Sequence, residues 1–258
     1  MKITSWNVNS IKARKEHVLK YLQDTNLDVL MVQELKGIDF PAQDFAAIGY
    51  QTAAVTQKAY NGVAIFSKTP ITIIAEKLEG DDSDEQARYI EFETNGLRLI
   101  NIYLPNGNPI GTEKFTYKIA WMKRLYARLK TLREANIPFA IGGDFNVIPE
   151  DKDCHDPAAW TGDALTQPQS RAAFRALKNI GLYEAFRIYN KSAGQYSFWD
   201  YQAGAWQKDN GIRIDHFLLT PELTDRLTSC TIDKTPRGWD RPSDHTPITI
   251  EIKDEINA

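Results

Sequence analysis

Along the whole chain, apolar or alternating runs stop at a polar side chain, and no other feature limits the fold as tightly. Lys2–Asn7, Leu27–Gln33, Gly62–Ser67, Tyr89–Glu93, Arg98–Tyr103, Phe139–Gly142, Arg213–Leu219 and Thr246–Lys253 all read as strands. Several alternate apolar and polar residues, as a half-buried strand does. Helical spacing appears between them. Ser10–Asp24 opens with a Ser cap, Thr112–Asn136 carries an apolar stripe from Ile119 to Leu132, and Ser170–Ile180 stops before Gly181. Strands alternating with helices, some joined by short turns, predict an α/β fold with mixed sheets. No linker or repeat interrupts residues 1–258, so one domain is expected, with Pro149–Pro168 as a long loop holding one helical turn.

The polar ends carry the chemistry. Asn7 and Glu34 close the first two runs, and Tyr103 closes a later one. Gly143-Asp144-Phe145-Asn146 follows another, and Ser243-Asp244-His245 precedes the last. A lone Asp or Asn at a strand end is usually a turn or cap, and an exposed charge is the ordinary reading of Glu34. The repetition favours a site. Asp215, set among Ile214, Phe217 and Leu218, needs a partner to be tolerated. His245 is a natural one, because a carboxylate behind an imidazole fixes its tautomer. Carboxylates and amides suit Mg²⁺, with Glu34 as the direct ligand helped by Asn7 and Asp244. Asp144 is suited to accept a proton from water, with Asn146 bonding that water or a phosphate oxygen. His245 and Tyr103 are suited to contact a scissile phosphate.

Bulk properties narrow the partners. With 42% hydrophobic and 25% charged residues, the composition is that of an ordinary globule. No run approaches the ~20 apolar residues of a membrane span, and Met1-Lys2-Ile3-Thr4 reads as a strand with no targeting segment. Cys154 and Cys230 read as free thiols of a reducing cytoplasm. The net charge of -3 argues mildly against nucleic acid. Basic residues nevertheless cluster at Lys12, Arg14 and Lys15, at Lys114, Lys118, Lys123 and Arg124, and at Lys234, Arg237 and Arg241.

These motifs resemble, in order from end to end, those of the bacterial exonuclease III family, within the exonuclease-endonuclease-phosphatase superfamily that shares the DNase I fold. The matching segments include Ser5-Trp6-Asn7-Val8-Asn9, Gln33-Glu34-Leu35-Lys36, Tyr103-Leu104-Pro105-Asn106, Gly143-Asp144-Phe145-Asn146, Arg213-Ile214-Asp215 and Pro242-Ser243-Asp244-His245. The resemblance implies a four-layered α/β sandwich of two packed mixed sheets flanked by helices. It implies a Mg²⁺- or Mn²⁺-dependent DNA-repair nuclease that cuts 5′ to abasic sites, trims duplex 3′ ends and removes 3′ blocking groups. Its partner would be double-stranded DNA, and the enzyme a monomer.

By the same resemblance, metal ligands map to Asn7 and Glu34, with Asp144, Asn146, Asp244 and His245 around a second position. Catalytic roles map to Tyr103, to Asp144 as proton acceptor, to Asn146 as transition-state stabiliser, and to Asp215 behind His245. The sugar pocket maps to Phe198, Trp199 and Ile214, with core packing as the rival reading of Trp199. Arg88, Asn106 and Lys118 map to DNA contacts. Ile212 and the order Phe198-Trp199 depart from relatives at the pocket. An inositol-phosphate or phospholipid phosphatase and a non-catalytic DNA-binding member are the alternative readings.

Overall fold

The computed structural model describes residues 1–254. In chain order the strands are β1 (Lys2–Asn7), β2 (Val29–Gln33), β3 (Gln51–Val55), β4 (Val63–Ser67), β5 (Thr72–Ala75), β6 (Tyr89–Thr94), β7 (Leu97–Tyr103), β8 (Phe139–Asp144), β9 (Tyr183–Glu184), β10 (Asp215–Leu219), β11 (Leu227–Ile232) and β12 (Ile248–Ile252). The main helices are α1 (Ile11–Thr25), α2 (Ala42–Ala46), α3 (Glu113–Glu134) and α4 (Pro168–Asn179). Two six-stranded mixed sheets form, in the orders β11-β12-β1-β2-β4-β3 and β5-β6-β7-β8-β10-β9.

Apolar side chains of both sheets, such as Ile3, Met31, Phe92 and Phe217, meet in a central core. The outer face of the first sheet is covered by α1 through Val18, Tyr21 and Leu22. The outer face of the second lies under α3 and α4 through Trp121, Leu125, Phe174 and Leu177. Helix, sheet, sheet and helix therefore make the expected four layers. Between the sheets, Gln33 Nε2 donates to Asn101 Oδ1 at 2.7 Å, and Asn101 Nδ2 donates to the carbonyls of Val32 and Ala64. These bonds satisfy polar groups that burial would otherwise make costly.

Strand direction explains why one end of the sandwich collects the polar groups. β1 and β2 run parallel, as do β7 and β8, so Asn7, Glu34, Tyr103 and Asp144 leave the sheets at one end. β12 and β10 run antiparallel to β1 and β8, which brings the residues that open them, including His245 and Asp215, to the same end. Ser10 Oγ caps α1 by accepting from Ala13 N–H. Thr112 makes no cap bond and instead donates its hydroxyl to Pro109 O.

Candidate active site

At that shared end, Asp215 Oδ2 accepts from His245 Nδ1 at 2.9 Å and from Ser197 Oγ at 2.6 Å. The backbone N–H groups of Ile214 and Asp215 in turn hold Ser197 Oγ. On the far side of the ring, His245 Nε2 lies 3.7 Å from Asp144 Oδ2, beyond hydrogen-bond range, so its N–H remains open to the cavity. Burial alone would lower the His245 pKa, but the carboxylates of Asp215 and Asp144 outweigh it and raise it to about 10. His245 is therefore an imidazolium, a donor rather than a base.

Asp144 sits opposite Asp215 across the β8–β10 pair. Burial, reinforced by the negative charges of Asp215 and Glu34, pushes its carboxyl up to about 7 against the pull of His245. Its Oδ1 accepts from Asn146 N–H at 2.9 Å and its Oδ2 from Asn7 Nδ2 at 3.0 Å. Two glycines prepare this strand end. At Gly143, φ is +152° and a Cβ would stand 2.0 Å from Ile102 O, while a Cβ on Gly142 would strike Phe217 and Met31.

Glu34 sits at a left-handed φ of 59°, strain of a kind that accumulates at functional sites. Its Oε1 accepts from Asn7 Nδ2 at 2.8 Å, and Lys36 Nζ lies 2.7 Å from Oε2. Burial would raise its pKa, but Lys36 and Asn7 hold it below the ordinary glutamate range. Tyr103 is pushed far up, first by burial and then by Glu34 and Asp144, so its phenol stays protonated. The Arg88 guanidinium stacks on the Tyr103 ring at 4.7 Å and bonds its carbonyl, which stiffens the end of β7.

Glu34, Asp144 and His245 bring ligand atoms within 4.8 Å of one another. Three carboxylates around one imidazolium and one ammonium fit a hard cation, and Asp215 Oδ1 remains buried without a partner. The other proposed ligands sit differently. Asn7 turns both amide hydrogens to the Glu34 and Asp144 carboxylates and its oxygen to Asn9 N–H, so it orients those two carboxylates. Asp244 lies outside the three-residue cluster and accepts from Asn9 Nδ2. Asn146 accepts from Asn106 through Oδ1 and gives one amide hydrogen to Leu104 O, which leaves its second hydrogen to donate.

Two expected DNA contacts are corrected. Lys118 is fully buried, and its Nζ donates to the carbonyls of Asn106 and Asn146, so it supports those loops from behind and cannot reach a phosphate backbone. Burial lowers its pKa to about 7. Trp199 is fully buried too, packed on Tyr196 and Trp206 with its indole N–H on Asp209. The rival core reading holds. Phe198 and Ile214 do line the 260 Å³ cavity, and Ile212, Leu165 and Trp160 complete its apolar side. Trp160 was missed, although the Pro149–Pro168 loop that carries it was readable as functional. The basic clusters are partly consumed internally: Lys15 pairs with Asp44, Arg124 with Asp84, and Arg237 bonds Trp199 O.

Residues 4–245 match the endonuclease/exonuclease/phosphatase family. The chain is 32% identical to an exodeoxyribonuclease III of Haemophilus influenzae, over 98% of this chain and 100% of that one. It is 31% identical to a Bacillus subtilis exodeoxyribonuclease, over 98% and 99%. Among solved structures it resembles a Neisseria 3′ phosphatase bound to product DNA hairpin, with a TM-score of 0.96, 34% identity and coverage of 98% and 100%. An AP endonuclease from Archaeoglobus fulgidus is similar at a TM-score of 0.94 and 33% identity, with the same coverage. The chain belongs to the endonuclease/exonuclease/phosphatase family.

Proposed function

We propose, from this membership, that the protein is a DNA-repair phosphodiester hydrolase. It cuts 5′ to abasic sites, removes nucleotides from duplex 3′ ends and strips 3′ phosphates or related blocks. We read residues 1–258 as one catalytic domain acting as a monomer, because the site draws side chains from both sheets. The observation that carries the reading is one cavity with two sides. Asp144, His245 and Glu34 stand on the polar side, and Phe198, Ile212 and Ile214 on the apolar side. A phosphate suits the first and a sugar lacking its base suits the second.

Glu34 and Asp144 would hold Mg²⁺ or Mn²⁺ with His245 nearby, and the bound cation would offset phosphate charge and stabilise the leaving 3′ oxygen. Asp144, held by Asn146 N–H and Asn7, is placed to take the proton of the attacking water. The open Nε2–H of His245 and the free amide hydrogen of Asn146 donate to phosphate oxygens as charge develops. Asp215 keeps His245 charged and correctly turned, and Ser197 keeps Asp215 in place. Tyr103 supplies a neutral phenol donor. Arg88 and Asn106, at the rim, face the DNA backbone.

The test uses four substrates: an abasic-site duplex, a 3′-phosphate duplex, a 3′-recessed duplex and an inositol phosphate. Each is run with Mg²⁺, with Mn²⁺ and with EDTA. Metal-dependent turnover of the DNA substrates supports the reading. Turnover of the inositol phosphate alone would overturn it, and DNA binding without turnover would mark a non-catalytic member. The likeness to a 3′ phosphatase supports 3′-end processing as one of the activities.

A further inference from the structure

The apolar side of the cavity is built from two sources. Phe198 bridges to Ile212 and to His245, and the carbonyl of Ile214 accepts from Phe145 N–H. Trp160 and Leu165 come from the 149–168 loop, which lies outside both sheets. Across the cavity, Asn108 Nδ2 donates to both oxygens of Asp163, at 3.1 and 3.0 Å. Asn108 Oδ1 accepts from Ala164 N–H at 3.0 Å, and Asp163 Oδ1 also accepts from Leu165 N–H at 2.8 Å. The carbonyl of Trp160 accepts from Asp163 N–H. A single side-chain pair thus ties the loop carrying Trp160 and Leu165 to the strand-end loop carrying Asn106.

The connection continues inward. Asn106 Oδ1 accepts from Asn108 N–H, and Asn106 Nδ2 donates to Asn146 Oδ1. Both members of the pair face the cavity. At 260 Å³ the cavity lies below the roughly 300 Å³ where pockets for drug-sized ligands begin. A wall can exclude a larger group only if it does not swing away. Asp153 on Arg213 and the Cys154–Ile212 bridge anchor the start of the loop, and Ile148 N–H on Leu165 O anchors its end, so Asn108 is what holds the turn between Trp160 and Asp163.

We propose that the Asn108–Asp163 pair is a specificity-determining latch. It holds the Trp160–Leu165 wall closed, so that the site takes a base-free sugar or a terminal phosphate in preference to a complete nucleotide. The pair touches no reacting atom in this scheme and acts as positioning residues. The inference rests on the hydrolase reading above.

The test compares kcat/KM on the abasic-site duplex and the 3′-phosphate duplex with kcat/KM on an undamaged 3′-recessed duplex, all with Mg²⁺. Asn108→Asp sets a second carboxylate against Asp163 and opens the latch. Both ratios should fall about tenfold, the scale of discrimination that pocket shape supplies. Adding Asp163→Asn to the same chain restores the pair with donor and acceptor exchanged, and the ratios should return to within about twofold of wild type. Unmoved ratios in Asn108→Asp, or no recovery in the double variant, would overturn the latch while wild-type turnover still supported the hydrolase. A wild-type protein inert on all DNA substrates would overturn both. If Asn108→Asp does not fold, Trp160→Ala, which removes the wall and leaves the latch, must lower the same ratios, and unchanged ratios overturn the proposal.

Discussion

Asp215 and His216 are neighbours on β10, yet they belong to two buried charged clusters of opposite character. On the side of His216, Arg213 Nε bonds Asp153 at 2.8 Å and its Nη1 bonds Glu184, while Arg187 also reaches Asp153. His216 Nε2 bonds Val147 O, and its Nδ1 lies against Arg213 Nη1. Burial would raise the Glu184 pKa, but Arg213 and His216 outweigh it and hold the carboxyl far below the usual range. On the side of Asp215, the carboxylates of Glu34, Asp144 and Asp215 share His245 and Lys36, and Asp144 is pushed up to about 7. The first cluster has the positive charge it needs and acts as a rivet between the 149–168 loop and the second sheet. The second is short of positive charge, which is the condition in which an arriving cation and a protonatable carboxylate do chemistry.

The sharpest way to break this contrast is to remove one charge from each cluster. Asp144→Asn should cut DNA hydrolysis by about 10³-fold or more, because the proposed proton acceptor is lost, while affinity for the abasic-site duplex survives. Single-turnover rates and a binding titration check this, and near-normal turnover would take the proton-acceptor role from Asp144. The same variant, in EDTA, should resist urea better than wild type by on the order of 1 kcal/mol, since it relieves repulsion among buried carboxylates.

Arg213→Met should do the reverse to the balanced cluster. It leaves Asp153 and Glu184 buried without their arginine, at a cost of about 3–5 kcal/mol in urea unfolding. A loss under 1 kcal/mol would show that the rivet is dispensable. Glu34→Ala should weaken the apparent Mg²⁺ affinity by about 10–100-fold, read from activity against free metal. An unchanged titration removes Glu34 as a ligand.

Lys118→Met should lower kcat about tenfold by freeing the Asn106 and Asn146 carbonyls, while the salt dependence of DNA binding stays the same because no phosphate contact is lost. Arg88→Ala, by contrast, should reduce that salt slope by about one.

The smallest effect concerns pH. Glu184 has a depressed folded pKa, so its contribution is complete above the ordinary glutamate range and is lost as pH falls below it. The stability of Glu184→Gln should therefore decline less steeply than wild type below about pH 4. Urea midpoints measured down the acid limb would show parallel curves if the ion pair adds nothing.

Central strands β2, β4 and β8 were legible because every residue in them is buried, so their runs are mostly apolar, and β1 is buried from Ile3 onward. The edge strands β3 and β5 and the outer β11 were not, since half-exposed segments such as Gln51–Val55 carry a weaker pattern. Arg213 was read into β10, but its backbone N–H turns to Asp153 O and the strand begins at Asp215. The pairing of Asp215 with His245 was legible because a carboxylate amid Ile214, Phe217 and Leu218 demands a partner. Ser197 was not, because a serine before an aromatic carries no signal of which carboxylate it will hold.

The sequence by itself determined the alternation of elements, the polar residues that terminate the strands, and the family. Each of these is a local pattern that survives in one dimension. Only the tertiary structure decided that Lys118 faces inward, that Trp160 takes the cavity wall expected of Trp199, and that one buried cluster is balanced while its neighbour is not. Those outcomes depend on which charges and rings meet across distant loops. A lysine or a tryptophan looks the same in a sequence whether its partners are solvent, a carbonyl pair or a pocket.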